Sequence, residues 1–149
     1  MNLKEQIEAD LKTAMLAGEK TLVTTLRGLK SAILNVEVAK NARETGLPDS
    51  EITDILAKEA KKRQESADMY VTGNSPERAE AELTEKTVIE KYLPKQMNEA
   101  EIAAVIEEVT AEIGASPQQM GQIIGEVKAR TAGAADGAII ARLVKEKLL

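Results

Sequence analysis

Apolar positions along this chain recur every three to four residues and hardly ever alternate, which is the signature of amphipathic helices. Leu3, Ile7, Leu11 and Met15 mark the first stripe. Asn2 with Glu5 three residues on has the form of an N-capping pair, and Gly18 is placed to end the helix. Leu22, Leu26, Leu29, Ile33 and Val36 mark a second helix, fading before Gly46-Leu47-Pro48. Asp49 or Ser50 is expected to cap a third, which carries Ile52, Leu56 and Ala60 and stops near Gly73. Ser75-Pro76 is a restart signal, because proline is tolerated at the first helical position. The fourth helix then carries Ala79, Leu83, Val88, Ile89 and Tyr92.

Leu93-Pro94 interrupts the pattern, since the proline ring disfavours helical backbone at the preceding residue. A domain boundary is therefore expected at about residues 93–98, dividing the chain into 1–94 and 95–149. Three shorter helices follow. The first starts at Asn98, presents Ile102, Val105, Ile106, Val109 and Ile113, and stops at Gly114. The second has Ser116, Pro117 and Gln119 as a capping box ahead of Met120, Ile123, Ile124 and Val127. The third starts at Asp136 and shows Ile139, Ile140, Leu143, Val144 and Leu148. The expected fold class is all-α: an N-terminal domain of about four helices, then a small three-helix domain.

Composition narrows the chemistry. Phe and Trp are absent and Tyr70 and Tyr92 are the only aromatics, so the core must be aliphatic, which suits packed helices. Without His or Cys there is no zinc site of the usual ligands, no thiol nucleophile, no Ser–His–Asp triad and no disulfide. No metal and no cofactor is expected. The charged opening Met1-Asn2-Leu3-Lys4-Glu5 lacks the apolar region of a secretion signal, and no run of about 18 apolar residues is present. A cytoplasmic location with no membrane partner is the expectation these features give.

The formal net charge of −5 argues against broad nonspecific nucleic-acid binding. It is unevenly spread. Residues 95–114 hold Lys95 against Glu99, Glu101, Glu107, Glu108 and Glu112. Residues 115–149 hold Lys128, Arg130, Arg142, Lys145 and Lys147 against Glu126, Asp136 and Glu146. The last segment is mildly basic. It also contains Gly121 and Gly125 inside a helical pattern, where each costs roughly 1 kcal/mol relative to alanine. Close approach by another helix of the fold, or by a ligand, would offset that cost.

Tyr92-Leu93-Pro94-Lys95-Gln96-Met97, Gly114-Ala115-Ser116, Met120-Gly121-x-x-x-Gly125 and Ala135-Asp136-Gly137 together resemble the YqeY family. The likeness extends to Leu3-Lys4-Glu5-Gln6-Ile7 and Thr25-Leu26-Arg27, and so to nearly the whole chain. The resemblance implies a helical N-terminal domain and a C-terminal domain similar to the tail of GatB. GatB is a subunit of the glutamine-dependent carbon–nitrogen ligase that amidates misacylated tRNA, and its tail helps hold the tRNA body. The chain departs from the family at Gln122 and Ala134, where a basic residue is common.

No catalytic site is legible beside that resemblance. The serines have no His to activate them, and neither a phosphate-binding P-loop nor an amidase Gly-Gly-Ser-Ser run is present. Lys58, Lys61, Lys62 and Arg63 read as a solvated face laced with ion pairs. Asp136 and Gly133 read as a helix cap and a helix stop. The expected function is therefore non-catalytic: binding of tRNA, or of an amidotransferase-type tRNA-handling complex. The candidate residues are Gly121, Gly125, Lys128, Arg130, Gly137 and Lys145. The alternative is a protein–protein adaptor that receives a partner's helix at the same glycine-lined corner or at the long N-terminal helices.

Overall fold

Caps and stops set the helix limits in the computed structural model, which describes residues 1–149. The chain forms seven α-helices and no strand: α1 (Leu3–Ala17), α2 (Lys20–Ala39), α3 (Asp49–Thr72), α4 (Pro76–Glu90), α5 (Glu99–Ile113), α6 (Met120–Thr131) and α7 (Gly137–Leu148). It divides into two compact units, Met1–Leu93 and Pro94–Leu149.

In the first unit, Asn2 and Glu5 form a reciprocal capping box and Gly18 closes α1 at φ +71°. Ile7, Leu11 and Ala14 are buried, whereas Met15 is 52% exposed. Three steps of four residues carry Met15 about 120° round the helix from Leu3, so the buried stripe moves to Ala14. The expected side-chain cap of α3 does not form. Pro48 occupies the cap, and its carbonyl accepts from Glu51 and Ile52. Asp49 Oδ1 instead accepts the Leu3 N–H at 3.1 Å, satisfying the start of α1. Leu83, expected on the core face of α4, is 40% exposed, while Ala79 and Ile89 are buried.

The core of this unit joins Ile7, Leu11, Leu26, Leu29, Ile33, Ile52, Leu56 and Ile89, with α3 packed mainly on α4 and α1 on α2. Each fully buried Leu or Ile side chain contributes about 1.5–3 kcal/mol. Tyr92 covers one edge and donates its hydroxyl to Asp10. Burial, and then that carboxylate, push its phenol above the usual range.

The second unit is organised by caps. Asn98 accepts the Glu101 N–H at 2.8 Å, and Asp136 accepts those of Ala138 and Ile139 at 2.7 and 3.2 Å. Ser116 and Gln119 close their box across a 3-10 turn, Pro117–Gln119, so α6 proper begins at Met120. The left-handed stop of α6 starts at Ala132 (φ +45°), one residue before Gly133 (φ +86°). Ile102, Ile106, Val109, Ile123, Val127, Ile140 and Val144 form the core, with Met97 packed on it. The Met97 N–H donates to the Ala134 carbonyl at 2.7 Å, holding the leading segment against the α6–α7 loop. No helix of the chain is long and apolar enough to cross a membrane.

Candidate functional site

Helix α6 sorts its residues by position on the turn. Ile123, Val127 and Thr131 are buried. At 3.6 residues per turn, Gly121, Gly125, Lys128 and Ala132 fall on one strip, and all four are exposed. An added methyl group on Gly121 or Gly125 would meet no atom within 4 Å. No helix of the unit presses on these glycines, so packing within it does not offset their cost. Gln122, beside them, is also exposed.

Gly137 opens α7 next to this strip. Lys128 Cε and Nζ lie 3.5 and 3.7 Å from where a β-carbon on Gly137 would sit, so the missing side chain leaves room for the lysine stem. Lys145 is eight residues further along α7, about 12 Å along the axis, and is exposed. Neither Lys128 nor Lys145 has a carboxylate partner, in contrast to the other cations of α6 and α7.

Arg130 points almost directly away from the glycine strip. It is bound to Glu112 of α5 and, at 3.0 Å, to Glu126. These carboxylates hold its guanidinium above its usual range, and the arginine in turn lowers the Glu112 carboxyl. Arg142 pairs with Glu99 and Glu146, and Lys147 pairs with Glu107. Carboxylates of α5 thus take up Arg130, Arg142 and Lys147. Of the six candidate residues, the structure gathers Gly121, Gly125, Lys128 and Gly137, leaves Lys145 two turns away, and turns Arg130 to the other flank.

The cations of the first unit are mostly engaged as well. Lys62 meets Glu59 at 3.3 Å, and Arg63 bridges Glu59 and Glu85. Sequence reasoning missed Glu37, whose side chain is 2% exposed and accepts from Lys4 Nζ at 2.9 Å. Its signal was present: Glu37 stands four residues after Ile33, at a core position of the α2 stripe, where a charge is rarely buried unless paired.

No group of three or more His, Cys, Asp or Glu could hold a metal ion. Fold and surface together define an all-helical protein with no catalytic motif, carrying an open glycine strip beside an unpaired lysine. A family model described as Yqey-like protein matches residues 4–148, and the chain belongs to the YqeY family. Among its relatives is "Altered inheritance of mitochondria protein 41, mitochondrial" from Kluyveromyces lactis, 30% identical over 129 residues, covering 84% of this chain and 69% of that protein. The protein of that name from Lachancea thermotolerans is 31% identical over 109 residues, 72% of this chain and 57% of its own. The one from Clavispora lusitaniae is 28% identical over 141 residues, 95% of this chain and 74% of its own.

These names overturn the cytoplasmic expectation, since the relatives are mitochondrial proteins by name. That expectation rested on the absence of Cys, the charged opening residues and the absence of a long apolar run. Such absences describe any reduced, water-filled compartment and do not distinguish one from another.

Proposed function

We propose that this protein is a non-catalytic binding module, with a four-helix N-terminal part and a GatB-tail-like three-helix part that takes tRNA or a tRNA-handling complex. The contact surface is the strip Gly121, Gly125 and Lys128, extended by Gly137 and Lys145. The observation that carries this reading is the open face over the two helix glycines. A glycine kept at an exposed helix position, at a cost of roughly 1 kcal/mol, makes sense where something outside the chain must come close to backbone. The unpaired ammonium of Lys128 beside it suits a phosphate oxygen. Arg130, neutralised by Glu112 and Glu126, supports the α5–α6 interface and leaves the contact set. Kinship with the amidotransferase is then kinship in binding, and carbon–nitrogen ligase chemistry stays with the catalytic subunits of that enzyme.

A second reading rests on the same strip. Gly121, Gly125 and Ala132 are small enough for a partner's helix to lie close, which would make the module a protein–protein adaptor. A pull-down with the full chain at low and high salt separates the two. Each phosphate contact adds nearly one unit to the slope of log affinity against log salt, so tRNA held through Lys128 and Lys145 is recovered at low salt and released at high salt. Lys128→Ala and Lys145→Ala each weaken tRNA capture and flatten that slope. A salt-resistant protein partner lost on Gly125→Gln supports the adaptor. Equal tRNA capture by all variants refutes the proposed surface.

A further inference from the structure

A second surface, in the first unit and independent of the glycine strip, has the form of a ligand site. Along α2, Arg27, Lys30, Ser31 and Leu34 follow one another at helical spacing, and all four are exposed. Lys4, Glu8 and Leu11 of α1 face them, and the two helices enclose an open cleft of about 480 Å³. Leu34, 43% exposed, supplies its apolar side, over a floor formed by the core residues Leu11 and Ile33. Three cations therefore converge on a concave surface within a segment where acids outnumber bases.

The partners of those cations decide what the cleft can hold. Lys4 is fixed by the buried Glu37, which makes no ion pair with Arg27 or Lys30. Lys30 meets Glu8 only at 3.9 Å, beyond hydrogen-bond reach, and both side chains are 43% exposed, so Glu8 is free to swing aside. Arg27 has no carboxylate partner at all. An exposed arginine fork, a loosely held ammonium and the Ser31 hydroxyl, all on one helix face, present donors that match the three oxygens of a phosphate monoester. The exposed Leu34 beside them suits an apolar or aromatic body attached to it. Lys4 and Glu37 satisfy each other at the inner end, which leaves the phosphate to Arg27, Lys30 and Ser31.

We infer that the α1–α2 cleft binds a small phosphorylated molecule, with Arg27, Lys30 and Ser31 holding the phosphate and the exposed Leu34 meeting the organic part. This site carries no chemistry; it is a recognition site apart from the polyanion surface of α6 and α7.

The test is a backbone-amide NMR titration of the full chain with phenyl phosphate, inorganic phosphate, benzoate and phenol as separate probes. Phenyl phosphate is expected to give saturable shifts confined to α1 and to residues 27–37, at least tenfold tighter than inorganic phosphate or phenol. Arg27→Gln, an exposed change that leaves the helix intact by circular dichroism, is expected to weaken it roughly tenfold, the loss of one charge-assisted contact. Lys30→Gln weakens it less, and Lys128→Ala leaves it unchanged, so failure here is distinguishable from failure of the tRNA surface. Absence of saturable shifts in α1 and α2, benzoate binding as tightly as phenyl phosphate, or an undiminished response in Arg27→Gln would each overturn the inference.

Discussion

Gly28 and Gly125 both sit inside helices, yet the chain treats them differently. A β-carbon on Gly28 would lie 3.5 Å from the guanidinium of Arg63, which rests against α2 there while it is bound to Glu59 and Glu85. Above Gly125 there is nothing within 4 Å. The same contrast separates two lysines: Lys4 ends on the buried Glu37, whereas Lys128 ends on no carboxylate. In the first unit the glycine and the lysine are both used by the fold itself. On α6 the fold leaves both over, and a residue that costs stability without serving the interior is a candidate for serving a partner.

The largest effect expected from breaking this contrast is at Lys4. Lys4→Ala leaves the Glu37 carboxylate buried without its cation, a loss of roughly 3–5 kcal/mol for a fully buried pair. Lys4 is 34% exposed at its side chain, so water can reach part of the site and the lower end of that range applies. Urea denaturation measures it. A loss below about 0.5 kcal/mol, the size of an ordinary surface change, would mean that Lys4 is as free as Lys128.

The glycine pair should move stability the other way. Gly121→Ala with Gly125→Ala adds two methyl groups that meet no neighbour and removes one interior helix penalty and part of a second at the first turn, a gain of roughly 1–2 kcal/mol for the pair. Thermal and urea unfolding should both show it, while partner capture falls. Destabilisation by this double variant would show that the strip is covered within the folded chain.

A bulkier side chain sharpens the difference between the two helix positions. Gly28→Gln pushes the Arg63 guanidinium off Glu59 and Glu85. The roughly 1–3 kcal/mol of overpacking strain then outweighs the gain of about 1 kcal/mol in helix propensity, for a net loss near 1 kcal/mol. Gly125→Gln has only the gain. Opposite signs in paired denaturation curves are the expected outcome, and equal signs would place both glycines in one class.

The helices themselves were legible because periodicity and caps act over a few residues. Asn2, Asn98, Ser116 and Asp136 each bind the backbone donors that their spacing announced. What needed coordinates was anything decided between helices. Asp49 left its own helix to serve the N–H of Leu3, 46 positions away. Arg130 looked like a free cation until Glu112, on α5, was placed beside it. The glycine motif pointed to close approach, and only the empty space above it separates a packing role within the fold from a surface one. Glu37 could have been found from its position on the α2 stripe, but not its partner, since Lys4 is 33 residues away.

The smallest effect is the most specific to the binding surface. Lys128→Ala and Lys145→Ala remove ammonium groups with no carboxylate partner, so each should change unfolding free energy by no more than about 0.5 kcal/mol, as surface substitutions do. Arg142→Ala supplies the contrast within the same helix: it releases Glu99 and Glu146 together, and exposed pairs of this kind contribute about 0.2–1 kcal/mol each at low salt. Denaturation at low and high salt should therefore separate Arg142→Ala, whose deficit shrinks as salt rises, from the two lysine variants, which stay flat. Lysines that prove silent in folding but costly in tRNA capture belong to the partner. A salt-dependent stability loss in Lys128→Ala would instead tie that ammonium to the fold and remove it from the contact surface.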